Sequence, residues 1–344
     1  MKKTLLIPSV LLVGVIVFVG IIRFKNLPQQ ASVADIFSLD QKIEEKKPVT
    51  ITFVGDIMMD RSVRSSVNKN FSGDYNALFV NTGYLRDADI AFGNLEGSVA
   101  NGGHNVGSRF SFHMDPKSLG ALRDAGFDIV SFANNHVGDW SMVAFNESLA
   151  HMRDNSILYA GAGENYIDAT TSRIIEVRGM KIGFLAATDV GPNWLAATDT
   201  KPGILLASDP HLADIIATAK QQLDILVIAF HWGNEYSPAN ARQEKLAHTV
   251  IDAGADIVYG AHPHVMERVE EYNNKLIFYS LGNFLFDQYF SPHTMHGMVA
   301  TVSIDPETKT LTHSEQVSEL SRQYVPQPLI PFDTSMLVTK IFTP

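Results

Sequence analysis

Apolar residues along this chain come in short unbroken runs that end on polar residues capable of chemistry. Val49 to Val54 (VTITFV) ends at Gly55-Asp56, and Asp89 to Phe92 enters Gly93-Asn94-Leu95-Glu96. Asp128 to Phe132 leads to Asn134-Asn135-His136, Ile225 to Phe230 stops at His231, and Asp256 to Tyr259 leads through Gly260 to His262-Pro263-His264. Lys181 to Ala186 and Lys275 to Ser280 are further runs. Continuous rather than alternating apolar runs predict strands covered on both faces. Helical segments are predicted between them, at 116–125, at 242–253 and at 141–153, where Val143, Ser148 and Met152 fall near one face. The alternation predicts an α/β layered fold. Met298 to Ile304 and Thr310 to Leu320 read as extra or edge strands, and the tail from Gln323, with Pro326, Pro328 and Pro331, reads as irregular.

One run differs in length. Thr4 to Ile22 is uncharged over 19 residues, behind Lys2 and Lys3. As a helix it would span roughly 28 Å, close to a ~30 Å hydrocarbon core. Arg23-Phe24-Lys25 follows, with no small-residue cleavage site nearby, so an uncleaved signal anchor is expected rather than a secretory signal. The expected organisation is a membrane anchor at 1–25, a polar linker at 26–48, a main domain at 49–290 and a C-terminal extension of the same domain at 291–344. Single-pass insertion with the large domain outside the cell is the orientation favoured, although Arg23 and Lys25 nearly balance the positive charges on the other side.

Composition narrows the chemistry. The 344 residues carry a formal net charge of -10. That argues against nucleic acid as a partner, which needs clustered Lys and Arg. It also means that an anionic polymer would need a locally positive site, for which a bound metal is a candidate. With 0 Cys, disulfides, thiolate catalysis and Cys-ligated zinc are excluded. Neither a G-x-S-x-G elbow nor a Walker A sequence nor H-E-x-x-H occurs.

What remains is the set of strand ends. Asp56, Asn94, Glu96, Asn135, His231, His262 and His264 are candidate ligands for one or two divalent ions, Mn, Zn or Fe, since all offer nitrogen or oxygen. Taken singly, each has a plainer explanation: a turn cap for Asp56, an Asx-turn for Asn94, a satisfied structural imidazole for His231. Taken together at consecutive strand ends they point to one site, because ligands gather outside the carboxyl ends of strands in α/β sheets. Either Asn94 or Glu96 is placed to bridge two ions. Gly93 would let the backbone approach a ligand. His262-Pro263-His264, if extended as proline favours for its predecessor, would put both rings on one side, roughly 6.5 Å apart. His136 is a candidate ligand or general acid, Asp139 its orienting partner or a helix cap, and Glu235 a general base or a rim residue.

In combination these blocks resemble the CapA family of poly-γ-glutamate capsule synthesis proteins. The resemblance runs from Thr50 to Asp287. It rests on Gly55-Asp56-Ile57-Met58, Asn94-Leu95-Glu96, Ala133-Asn134-Asn135-His136, His231-Trp232-Gly233, Gly260-Ala261-His262-Pro263-His264 and Tyr279-Ser280-Leu281-Gly282-Asn283-Phe284. It implies kinship with the calcineurin-like metallophosphoesterases, hence a four-layer α/β/β/α sandwich, a metal site, and a membrane-anchored external domain. It also implies partners in an anionic extracellular polymer such as poly-γ-glutamate and in other capsule synthesis subunits. This chain departs from the metallophosphoesterase pattern at Met58, where a His is usual, at Asn94, where an Asp is usual, and at Val137, where the motif ends in Asp. Two functions follow from the resemblance: a metal-dependent hydrolase of phosphoester or γ-glutamyl amide bonds, and a non-catalytic polymer-binding or anchoring subunit of an export complex.

Overall fold

The computed structural model describes residues 47–341. The expected anchor at 1–25 and the linker up to residue 46 lie outside the described residues. Among those described, no helix is long and apolar enough to cross a membrane.

Two sheets form the frame. The eight-stranded sheet is built on β1 (Val49–Ile57), β2 (Ile90–Leu95), β3 (Ile129–Ser131) and β4 (Leu158–Ala160), parallel in that order. The six-stranded sheet holds β5 (Arg173–Val177), β6 (Met180–Thr188), β7 (Ile225–His231), β8 (Ile257–Ala261), β9 (Val269–Tyr272) and β10 (Lys275–Phe278), in the order β9-β10-β8-β7-β6-β5. In the first sheet β11 (Asn283–Leu285) lies parallel to the end of β1, and β12 (His296–Ile304) pairs antiparallel with its start. β13 (Leu311–Glu319) and β14 (Ile330–Pro331) complete that side. The tail expected to be irregular therefore supplies a short edge strand.

The unbroken apolar runs are explained by what covers them. In β7, Ile225, Val227 and Ala229 join the core shared with the first sheet, while Leu226, Ile228 and Phe230 join a second core. That second core includes Leu212 and Ile216 of α4 (Leu212–Lys220), and Ala247, Val250 and Ile251 of α5 (Ala241–Asp252). Successive strand residues face opposite ways, so a strand buried on both sides has no polar alternation. Aromatic rings meet between the sheets: Phe92 of β2 lies 5.5 Å from Phe184 and 5.0 Å from Tyr259, and its strand neighbour Phe53 lies 6.0 Å from Tyr259, between ring centroids. The Tyr259 hydroxyl crosses the interface and donates to the Val54 carbonyl at 2.8 Å.

Of the remaining helices, α1 (Arg61–Asn70) follows β1, α2 (Lys117–Ala125) precedes β3, and α3 (Ser141–Asp154) lies between β3 and β4. On α3 the inward residues are Ala144, Phe145, Ser148, Leu149 and Met152, whereas Val143 is exposed, contrary to the sequence reading. A helix repeats every 3.6 residues, so position 143 lies off the stripe that 145, 148, 149 and 152 define. Gly93 also differs from expectation. It sits within β2, and a Cβ there would meet Ile57, Val54 and Phe127, so its role is close packing against those side chains.

The strands end together. Asp56 of β1 stands in register with Asn94 of β2 and with Asn283 of β11, and His231 of β7 with Ala261 of β8. β1 carries an irregularity between Phe53 and Asp56, of the kind that re-aims a side chain. It runs hard against the chain before β11: the Asp56 N–H donates to the Gly282 carbonyl at 2.8 Å, and a Cβ on Gly55 would lie 1.8 Å from that oxygen.

Candidate metal centre

Each strand delivers one buried polar group to the same point. Asp56 accepts at Oδ1 from the Asn94 amide at 2.8 Å and at Oδ2 from the His262 backbone N–H at 3.2 Å, while His264 Nδ1 lies 3.4 Å from Oδ2. The Asn94 amide also lies 3.3 Å from His231 Nδ1, and its oxygen accepts from Asn134 at 3.3 Å. His231 Nε2 and Asn135 Oδ1 are 2.8 Å apart. Ligand atoms within 4.8 Å of one another fall into two groups, Asp56–Glu96–His231 and Glu235–His262–His264. The groups adjoin: His231 and His262 are 4.8 Å apart between ring centroids, and Glu96 Oε1 is 3.8 Å from His264 Nε2. All seven predicted ligands thus lie in one connected cluster, and Glu235 stands beside His262 and His264.

The donor set fits a cation. Glu96 is fully buried, yet neither carboxylate oxygen has a hydrogen-bond partner among the described residues, and the buried His262 Nδ1 is likewise unpartnered. Buried polar groups are almost always satisfied, so three orphaned atoms in one cluster call for a ligand. Electrostatics agree. Burial, together with the nearby Asp56 and Glu235 carboxylates, pushes the Glu96 carboxyl well above its usual range, although His264 pulls it down. Burial and the neighbouring imidazoles hold His231 well below its ordinary value and take His262 down to about 3. Burial also opposes charge on His264, but Glu96 and Asp56 outweigh it and raise that ring to about 9. Left alone, the cluster balances its acids with protons. A divalent ion would replace them, on neutral imidazoles and ionised carboxylates.

The His-Pro-His segment reaches this point by a different route from the extended one expected. His262 has φ +98 and His264 φ +58, so both sit in the left-handed region. The rings still converge, at 5.9 Å between centroids. Left-handed backbone at a non-glycine residue costs of order 1–3 kcal/mol and persists where surroundings over-determine it. Here Asp56 holds the His262 N–H, and Asn283 Oδ1 lies 3.0 Å from His264 Nδ1.

Beside the cluster lies a cleft of about 290 Å³, whose walls include Arg61, Phe110, Phe112, His136, Tyr236 and His264. His136 Nδ1 is 2.7 Å from Asp139 Oδ2, and its Nε2 is 3.8 Å from Glu96 Oε1. Asp139 is not a helix cap: the residue capping α3 is Trp140, which makes no side-chain cap bond.

Residues 50–288 match the family model described as "Bacterial capsule synthesis protein PGA_cap". The chain belongs to this family. It is 36% identical over 256 residues to "Capsule biosynthesis protein CapA" of Bacillus anthracis, covering 72% of this chain and 62% of that protein. It is also 36% identical over 244 residues to "PGA biosynthesis protein CapA" of Bacillus subtilis (strain 168), covering 70% and 64%. The chain therefore matches less than two thirds of the length of these relatives. Among solved structures, a hypothetical protein from Thermus thermophilus aligns with a TM-score of 0.51 at 17% identity, over 79% of this chain and 99% of that one, a likeness of fold.

Within this PGA_cap protein, several residues at the site carried no separate signal in the sequence. Asn283 was legible only as part of a family block, yet it bonds His264 and donates to Gln288 at 3.0 Å. Arg61, with φ +49, pairs with Asp287 through Nε at 3.0 Å and lies over the Phe112 ring at 5.0 Å. Met58, which the sequence marked as a departure, is buried and accepts at sulfur from the Asp60 N–H.

Proposed function

We propose that this PGA_cap protein is a membrane-anchored, externally facing component of capsule polymer synthesis or export, and that its strand-end cluster works as a metal-dependent hydrolase site of metallophosphoesterase type. The observation that carries the reading is Glu96, fully buried among Asp56, His231 and His264, with no nitrogen donor among the described residues within hydrogen-bond distance of either carboxylate oxygen. Asp56, Glu96 and His231 would hold one ion, and Glu235, His262 and His264 a second, with Asn94 and Asn135 positioned to join them. When bound, a divalent ion supplies Lewis acidity toward a phosphoryl or carbonyl oxygen. The chain's own part is proton handling and positioning. His136 faces the cleft and is oriented by Asp139, an arrangement suited to protonating a leaving group. The bond cleaved would be a phosphoester or a γ-glutamyl amide of the polymer or its precursor.

One feature favours a second reading, a non-catalytic subunit that holds the polymer. Met58 replaces a usual ligand, and a site short of one ligand can bind carboxylates without turning them over. Metal content and turnover, measured on the same preparations of wild type, His136→Gln and the His262→Ala/His264→Ala double variant, separate the two. The hydrolase reading expects metal in wild type and in His136→Gln, loss of metal in the double variant, and turnover lowered roughly 10²–10⁴-fold in His136→Gln. Polyglutamate binding by wild type with no turnover on either substrate class would replace it with the holding role. Full metal retention in the double variant would displace the site itself.

A further inference from the structure

The segment from His104 to Phe112 is largely exposed, yet it is fastened to the short turn that carries His136 and Asp139. His104 N–H donates to the Trp140 carbonyl at 3.3 Å, and Val106 N–H to the Asp139 carbonyl at 2.9 Å. The Ser108 hydroxyl donates to Asp139 Oδ1 at 2.7 Å, and the Phe112 N–H to Asp139 Oδ2 at 3.0 Å. Just before the segment, Gly103 has φ +95, and a Cβ there would lie 2.2 Å from the Trp140 carbonyl oxygen.

A serine side chain on a surface segment more often bonds backbone or water. Ser108 instead reaches a carboxylate that is 2% exposed and 31 positions away in sequence. On Asp139, Oδ2 serves both His136 and the Phe112 N–H, while the Ser108 hydroxyl engages Oδ1. With both oxygens engaged, the carboxylate plane cannot turn about the bond to His136, and the imidazole keeps Nε2 toward Glu96. The same segment lays the Phe112 ring 4.1 Å from the His136 ring and puts Phe110 on the cleft wall. Wall and acid are therefore one mechanical unit.

Resting on the hydrolytic reading above, we propose that Ser108 is a positioning residue for His136, and that segment 104–112 clamps the His136–Asp139 pair from the cleft wall. Hydrogen-bond partners of this kind are worth roughly 10–100-fold in activity at metal sites.

The test uses the full-length protein with nitrogen-labelled histidine, in wild type, Ser108→Ala and Ser108→Thr. His136 resonances are identified by their loss in His136→Gln. In wild type the Nδ1–H of His136 should exchange slowly and report a single tautomer. Ser108→Ala should speed that exchange by about tenfold or more, and Ser108→Thr, which keeps the hydroxyl, should restore it. With bis(p-nitrophenyl) phosphate as probe, kcat should fall roughly tenfold in Ser108→Ala with KM within about twofold. If alanine does not fold, Ser108→Cys, a weaker donor of similar size, should give an intermediate change. Unchanged His136 exchange in the alanine or cysteine variant, with faster proteolysis at 104–112, would mean that the serine merely fastens a loop and would overturn the proposal. Equal loss in Ser108→Thr would overturn it too. If wild type does not turn over the probe, the hydrolytic reading on this substrate falls, and the His136 exchange rates alone decide the clamp.

Discussion

Glu267 offers a quantitative test away from the cluster. It is 1% exposed, its Oε2 accepts from the Gln243 amide at 2.9 Å, and its Oε1 has no partner among the described residues. Burial raises its carboxyl from 4.5 to about 8, only partly offset by Gln243 and Arg268. A raised carboxyl pKa means that the folded chain binds the proton more tightly than the unfolded chain. The contribution to stability is then fully present below about pH 4.5 and is lost as pH rises through about 8. At about 1.36 kcal/mol per pK unit, the difference between 4.5 and 8 amounts to on the order of 5 kcal/mol, of which about 3 kcal/mol is already lost by pH 7. Glu267→Gln removes the titration. It also leaves an amide proton beside the site of Oε1, at a pH-independent cost of about 1–3 kcal/mol. The sign of the change should therefore reverse: the variant is the less stable protein near pH 4 and the more stable one above pH 8. Denaturant midpoints of both proteins across that range read this as a difference curve in which other titrations cancel. A flat difference curve would show that Glu267 ionises normally, and the reasoning from its burial would be wrong.

Gly55→Ala should be among the most damaging small substitutions, because its Cβ would fall 1.8 Å from the Gly282 carbonyl oxygen. A loss above roughly 3 kcal/mol is expected, and a melting temperature within about 2 °C of wild type would refute the close approach of the two chain segments. Residues 4–22 should remain on the mature protein as an anchor. N-terminal sequencing of membrane-extracted material checks this, and a start near Gln30 would sink it.

The strand ends were legible because strands buried on both faces leave unbroken apolar text, and the first polar residue after that text marks the sheet edge. Asp56, Asn135, His231 and the His262–His264 pair were all found that way. The approach of His264 to Asp56 was legible only in outcome. Its expected extended backbone gave way to two left-handed residues, which proline's local preference does not foretell and which contacts from Asp56 and Asn283 impose. The burial of Glu96 and the reach of Ser108 to Asp139 had no local pattern at all. Both depend on which loops the fold stacks over the sheet ends, and that is decided by contacts far apart in sequence.

The direction of β1 has a consequence for how the protein can be held. Val49 opens the strand and Asp56 stands near its end, about 23 Å further on at ~3.3 Å per residue. Whatever precedes Val49 joins the domain at the end remote from the cluster. The domain thus has a mounting end and a working end. Gripped from the N-terminal side, whether by a fusion partner or a sensor chip, the domain keeps Asp56 and the cluster around it at the far end of β1, clear of the point of attachment.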